Sequence, residues 1–184
     1  MALYHLLYKV TTGPVSAKRI LTPVGFVGFS AVMLGVVGFG LLLDLWLAFD
    51  PLLPGRPGLV AGTVLVALGA ILSGWSILVF FGERGTPVPF NPPPELVVKG
   101  PYAFSRNPML SGLFLMLFGL GLWLNSIGLA LIVTPTFIVL SVIALKRVEE
   151  PELEKRLGAP YVEYRRRTPM FFPRLGSAKG RAGS

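Results

Sequence analysis

The chain has 184 residues, 53% of them hydrophobic and 14% charged, with a mean hydropathy of +0.68. Soluble domains carry about 25% charged residues, so this composition excludes an ordinary soluble domain and places the chain in a bilayer. The absence of cysteine excludes disulfides, thiolate nucleophiles and cysteine-ligated metals, and the single histidine, His5, gives no basis for a histidine metal site or a Ser-His-Asp triad.

In chain order, residues 1 to 21 carry Lys9, Lys18 and Arg19, and His5 reads as a residue near the membrane surface. The apolar stretch that follows is too long for a cleaved signal peptide and reads as retained. A first span runs from about Pro23 to Leu47, with Asp44 near its far end as an interfacial carboxylate and several glycines for close helix packing. Residues 50 to 58, rich in Pro and Gly, form a turn. The second span, about Leu59 to Phe81, is uncharged and stops at Gly82-Glu83-Arg84-Gly85. Residues 82 to 106 hold six prolines, which exclude regular helix and suit a stiff cover over a site.

From Asn107 to Leu145 there are 39 residues without a charge, divided at Asn125-Ser126-Ile127-Gly128 into a third and a fourth span. Each half has length for one crossing, roughly 28 Å as helix. Pro135 kinks the fourth, with Thr134 and Thr136 placed to bond freed carbonyls. A charged helical stretch follows Leu145, with Leu153 and Leu157 on one face, until Gly158-Ala159-Pro160 interrupts it. The fold class is therefore all-α: a polytopic membrane protein of about four transmembrane helices with a helical C-terminal tail. Residues 1–175 form one integral membrane domain and 176–184 a disordered end.

Of the 17 basic residues, only Arg56 falls on one side of such a four-span arrangement and the other sixteen on the opposite side. The bias puts both termini in the cytoplasm. Anionic headgroups account for the net charge of +8, and no aromatic interleaving points to nucleic acid.

A hairpin of the last two spans returns both its ends to one surface, bringing Arg106 close to Glu149 and Glu150. Singly, each residue has a plain structural use. Asn107 and Pro108 suit a helix start, Arg106 can snorkel, and the glutamates can be a solvated exit. Together, a guanidinium fork and two carboxylates under a proline-rich cover suit a small zwitterion, with Tyr102, Tyr161 and Tyr164 as walls. Ser111 and Gly112 leave room near the start of the third span for an apolar acceptor.

These residues carry a resemblance. Gly100-Pro101-Tyr102, Arg106-Asn107-Pro108-Met109 and Gly112 are followed one hairpin later by Glu149-Glu150, Leu153, Gly158, Tyr161 and Tyr164, then Pro169 and Pro173. The pattern resembles the isoprenylcysteine carboxyl methyltransferase and phospholipid methyltransferase group. Gly85-Thr86-Pro87-Val88-Pro89 and Pro92-Pro93 resemble a loop of its bacterial members, which implies a bacterial inner membrane. The resemblance implies S-adenosylmethionine bound within residues 82–174 by Tyr102, Arg106, Asn107, Pro108, Glu149, Glu150, Leu153 and Tyr161. It also implies catalytic roles for Arg106 and Glu149, and a lipophilic or lipidated acceptor reaching the methyl group from the bilayer. The chain departs from the common pattern at Asn107, where many members have histidine, and at Leu110, where many have tyrosine. Two other readings stand beside it: an NADPH-dependent reductase of the membrane sterol type, and a non-enzymatic membrane scaffold.

Overall fold

The computed structural model describes residues 15–53, 55–83 and 93–171. His5, the Gly85–Pro89 and Pro92 positions, Pro173 and the tail from residue 176 lie outside the described residues. Helix α1 is Val15–Leu47, α2 Arg56–Gly82, α3 Pro108–Trp123, α4 Gly128–Leu157 and α5 Ala159–Arg167. Among the described residues there is no strand. Three helices are long and apolar enough to cross a membrane: α1 from Pro23, α2 and α4. The fourth apolar helix, α3, has 16 residues, about 24 Å of rise, and is shorter than the equal division of the uncharged run predicts. Asn125 ends it early by turning into the left-handed region, φ 54°, where asparagine is tolerated.

Helices α2 and α3 pack antiparallel with almost no side chain between them. Gly62 and Gly69 of α2 meet Gly119 and Gly112 of α3, so a seven-residue step on one helix matches the same step on the other. A Cβ on Gly62 would stand 2.6 Å from the Gly119 carbonyl oxygen, and one on Gly119 would stand 2.9 Å from that of Gly62. Lipid is as apolar as leucine, so burial contributes little between spans; close backbone contact takes its place. Ser73 adds a hydrogen bond from its hydroxyl to the Met109 carbonyl, 2.9 Å.

Helix α1 touches the rest chiefly at the start of α4. A Cβ on Gly40 would lie 2.7 Å from the Leu129 Cα, and the Asp44 carboxylate accepts the Gly128 amide at 2.7 Å. Asp44 therefore caps the first turn of α4 and satisfies one of its orphan donors. Outward side chains such as Phe26, Leu34 and Trp46 on α1, and Val60, Ile71 and Leu78 on α2, are exposed and face lipid.

Two π turns interrupt α4, at Gly128–Val133 and Leu145–Glu149. Each comes just before a proline, Pro135 or Pro151. Proline lacks an N–H and its ring collides with the carbonyl four residues back, and one extra residue per turn relieves both. The Thr134 hydroxyl donates to the Leu129 carbonyl, which also accepts the Thr134 amide, and the Thr136 hydroxyl to that of Ile132, each hydroxyl at 2.7 Å; neither bonds the Leu131 carbonyl four residues before Pro135. The second π turn lets the charged stretch continue α4 past Leu145 as one helix. Gly158, at φ +65°, then turns the chain into α5.

Candidate active site

The start of α3 and the charged end of α4 meet the Gly100–Ala103 turn, the strap formed by Thr168–Phe171, and α5. In the Gly100–Ala103 turn, the Tyr102 amide donates to Lys99 and the Ser105 amide to Pro101, each at 3.1 Å. The Tyr102 ring stacks on Phe80 of α2, with centroids 4.7 Å apart and planes 11° from parallel. From α5, the Tyr164 hydroxyl reaches the Tyr102 carbonyl at 2.7 Å and the Ser105 carbonyl at 3.3 Å. One phenol thus ties together both sides of the turn that presents Arg106.

The strap holds the other side. The Arg106 amide donates to the Pro169 carbonyl at 2.9 Å and the Asn107 amide to the Met170 carbonyl at 3.1 Å. The Met170 carbonyl also accepts from the Ser105 hydroxyl at 3.1 Å and the Asn107 side-chain amide at 3.3 Å. The Asn107 side chain therefore does not cap α3, although Asn107 occupies the N-cap position and Pro108 follows it at the first helical position. It is drawn away by a carbonyl more than sixty residues downstream.

With its backbone so fixed, Arg106 extends to Glu150, and the guanidinium Nη1 pairs with a Glu150 carboxylate oxygen. Their side chains are 12% and 14% exposed, so the pair is largely desolvated. Breaking such a pair typically costs about 3–5 kcal/mol, because the survivor is left charged and unpaired. The Nε of Arg106 is buried with no hydrogen-bond partner among the described residues. An orphaned donor on a charged fork is costly unless something else accepts from it.

Tyr161 is buried beside this pair. Burial pushes its phenol up to about 12, the Glu150 charge adds to the rise, and Arg106 opposes it. Burial also raises the Tyr102 and Tyr164 phenols; Tyr164 and Glu149 add to the rise at Tyr102, while Arg106 opposes it at Tyr164. All three are neutral donors at physiological pH. Glu149 stands exposed at the end of the second π turn, near enough for its charge to bear on Tyr102 and Tyr161.

The structure thus gathers Tyr102, Arg106, Glu149, Glu150 and Tyr161 at one end of the bundle. Asn107 and Pro108 belong to the same turn through their backbone, and Leu153 is half-buried one turn beyond Glu149. Ser111 and Gly112 do not join them. The Ser111 hydroxyl is buried and turned back onto the Asn107 carbonyl at 2.9 Å. A Cβ on Gly112 would meet Ser73 and Gly69 of α2, so the room expected beside Gly112 is filled by the neighbouring helix.

Sequence reasoning passed over a second buried pair. Glu152, 3% exposed, accepts from Arg156 Nε at 2.9 Å, and Arg156 Nη1 donates to the Pro93 carbonyl at 3.0 Å. This pair anchors the end of the proline-rich connection to α4. Its signal was present as an i, i+4 Glu-to-Arg spacing, but such spacing is ordinarily a solvated face.

A family profile described as phospholipid methyltransferase matches residues 57–159. Over 132 residues the chain is 33% identical to the nickel-cobalt-cadmium resistance protein NccN of Alcaligenes xylosoxydans xylosoxydans, covering 72% of this chain and 54% of that protein. It is also 30% identical over 122 residues to the cobalt-zinc-cadmium resistance protein CzcN of Cupriavidus metallidurans, covering 66% and 52%. The chain spans about half the length of the curated relatives it matches. No solved structure gives a significant match. The profile runs from the first turn of α2 to the hinge after α4 and includes both partners of the buried ion pair, and on that match the chain belongs to the phospholipid methyltransferase family of membrane methyltransferases.

Proposed function

We propose that this chain transfers a methyl group from S-adenosylmethionine to an amphiphilic acceptor held in the bilayer. The observation that carries the reading is the Arg106–Glu150 pair, desolvated and fixed, with a buried Arg106 Nε that lacks an acceptor. A zwitterionic amino-acid group fits this arrangement: its carboxylate accepts from the open side of the guanidinium fork, and its ammonium faces Glu149 and Glu150. Tyr161 and Tyr102 offer neutral aromatic walls, and the Asn107-Pro108 turn and Leu153 bound the remainder. A dinucleotide phosphate would meet two carboxylates here, which disfavours the reductase reading.

When bound, S-adenosylmethionine supplies an electrophilic methyl on a sulfonium, open to in-line displacement. The chain's own part is positioning and exclusion of water. Arg106 and Glu150 orient the polar end of the donor. Glu149 accepts the proton that an amine acceptor must lose before it can attack; a carboxylate acceptor needs no such step. The apolar walls of α2, α3 and α4 suit a lipophilic acceptor, because a water-soluble one would gain nothing from a site at the end of lipid-facing helices.

The sixteen-to-one distribution of basic residues supports a cytoplasmic position for this site and for both termini. Single cysteines at Arg56 and Glu95 should label from opposite sides of sealed vesicles; labelling from one side would overturn that orientation. The metal resistance in the relatives' names belongs to those proteins. Among the described residues no group of three His, Cys, Asp or Glu side chains could hold a metal ion, and the reading here is methyl transfer.

The test is calorimetric titration of the detergent-purified protein with S-adenosylhomocysteine and with NADPH. Wild type should bind the first and not the second. Arg106→Lys, which keeps the charge but loses the fork, and Glu150→Gln should each weaken it by more than about tenfold. Unchanged affinity in both folded variants would place the cofactor elsewhere.

A further inference from the structure

Helices α3 and α4 form a wedge. At the Asn125 end they touch: a Cβ on Gly121 would lie 2.7 Å from the Ala130 Cβ, and the Ser126 amide donates to the Gly121 carbonyl at 2.8 Å. Beyond Val133 the contact between them thins toward the charged end. The opening is bridged by aromatic rings. Phe114 of α3 meets Phe137 of α4 edge-on, centroids 6.1 Å apart at 83°. Phe171 of the strap meets Phe114 at 5.4 Å and 53°.

These three rings are not held alike. Phe114 and Phe137 ride on helices, and Phe114 is only 8% exposed. Phe171 is half-buried and carried on the non-helical strap whose carbonyls fix Arg106. Phe114 lies six residues past Pro108, about 9 Å along α3. Phe171 therefore sits where an apolar tail would enter if its polar head reached Arg106. Of the three it is the one ring carried outside a helix, so its backbone can shift without moving a membrane helix.

We propose that Phe171 is the specificity-determining residue for the acceptor: its ring narrows the apolar opening between α3 and α4 below Arg106 and limits the hydrocarbon chain admitted there. This rests on the reading of the site as one that methylates an amphiphile. It goes further in naming the residue that selects the chain.

The test uses full-length protein and three probes, octanoyl, lauroyl and palmitoyl lysophosphatidylethanolamine. Wild type, Phe171→Leu and Phe171→Ala are compared by kcat/KM for methyl transfer, and by the rise in Tm that each lipid gives with S-adenosylhomocysteine present. The second readout needs no turnover, since a ligand that binds the folded state raises Tm. Hydrophobic pockets discriminate by about tenfold or more per methylene. Phe171→Ala should therefore raise the palmitoyl-to-octanoyl ratio of kcat/KM by at least about tenfold, with Phe171→Leu between it and wild type and the Tm rises in the same order. An unchanged ratio in folded variants that still bind S-adenosylhomocysteine overturns the filter and leaves the methyltransferase reading standing. Loss of S-adenosylhomocysteine affinity in both variants at an unchanged ratio assigns Phe171 to holding Arg106, and also overturns it. If wild type itself binds no S-adenosylhomocysteine, the methyltransferase reading fails first and takes the filter with it.

Discussion

The α2–α3 interface and the Arg106 turn are both closely fitted, but by opposite means. Between α2 and α3, fit comes from what is missing: Gly62, Gly69, Gly112 and Gly119 remove side chains so that backbones touch. At the Arg106 turn it comes from what is added, as Ser105, Asn107 and Tyr164 side chains and two strap carbonyls bond the backbone that presents Arg106. Within the bilayer, shape is the available source of specificity, because the solvent is as apolar as the protein. At the charged end, desolvation makes each polar group consequential, and the specificity lies in who bonds to whom.

The largest loss is expected at the ion pair. Arg106→Ala leaves Glu150 buried and alone, and should cost about 3–5 kcal/mol in unfolding free energy, read by thermal or denaturant unfolding in detergent. The double change Arg106→Met with Glu150→Leu should recover most of that stability while leaving S-adenosylhomocysteine unbound, which separates the pair's cost from its use. At the glycine interface, Gly69→Leu or Gly112→Leu should lower stability by about 1–3 kcal/mol through overpacking, read in the same unfolding experiment. A Gly112→Leu protein with wild-type Tm would mean that α2 and α3 do not touch as described.

Much of this fold is visible in the sequence because its largest signal is local. Uncharged runs declare the spans, and Pro135 with its flanking threonines declares the break in α4. The nearness of Arg106 and Glu150 is also legible, since a two-span hairpin must return its ends to one surface. What stays hidden is set by partners without a signature. Any residue could have supplied the carbonyls of Pro169 and Met170, so nothing marks them as the acceptors that turn the Asn107 side chain away from its cap. Gly112 reads as open space because one sequence cannot show that Gly69 lies opposite. Glu152 and Arg156 look like a solvated helical pair until Pro93 is seen to cover them.

Two smaller tests sharpen the contrast at its margins. Asp44→Ala removes the cap on α4 and should cost about 0.5–2 kcal/mol, with little effect on S-adenosylhomocysteine affinity because Asp44 lies at the opposite end of the bundle. Arg166 reaches Glu163 only at 3.9 Å from a side chain 77% exposed. Its replacement by Ala should move Tm by an amount corresponding to less than about 1 kcal/mol, the usual range for a surface pair.

The second π turn of α4 has a rotational consequence. An added residue in a helix turns everything after it by about 100°. The Leu145–Glu149 turn therefore sets the azimuth of the remaining charged segment against the membrane-embedded part. That offset sets the face on which Glu150 meets Arg106, and Glu152, two positions on and about 200° further round the same regular helix, is buried against Arg156. Pro151 stands two residues after the turn, where its missing N–H and its ring disfavour the regular hydrogen bond four residues back. Where the ion pair at Arg106 and the one beneath Pro93 both stand, relative to the membrane-embedded part of α4, is thus set together by one added residue in that turn.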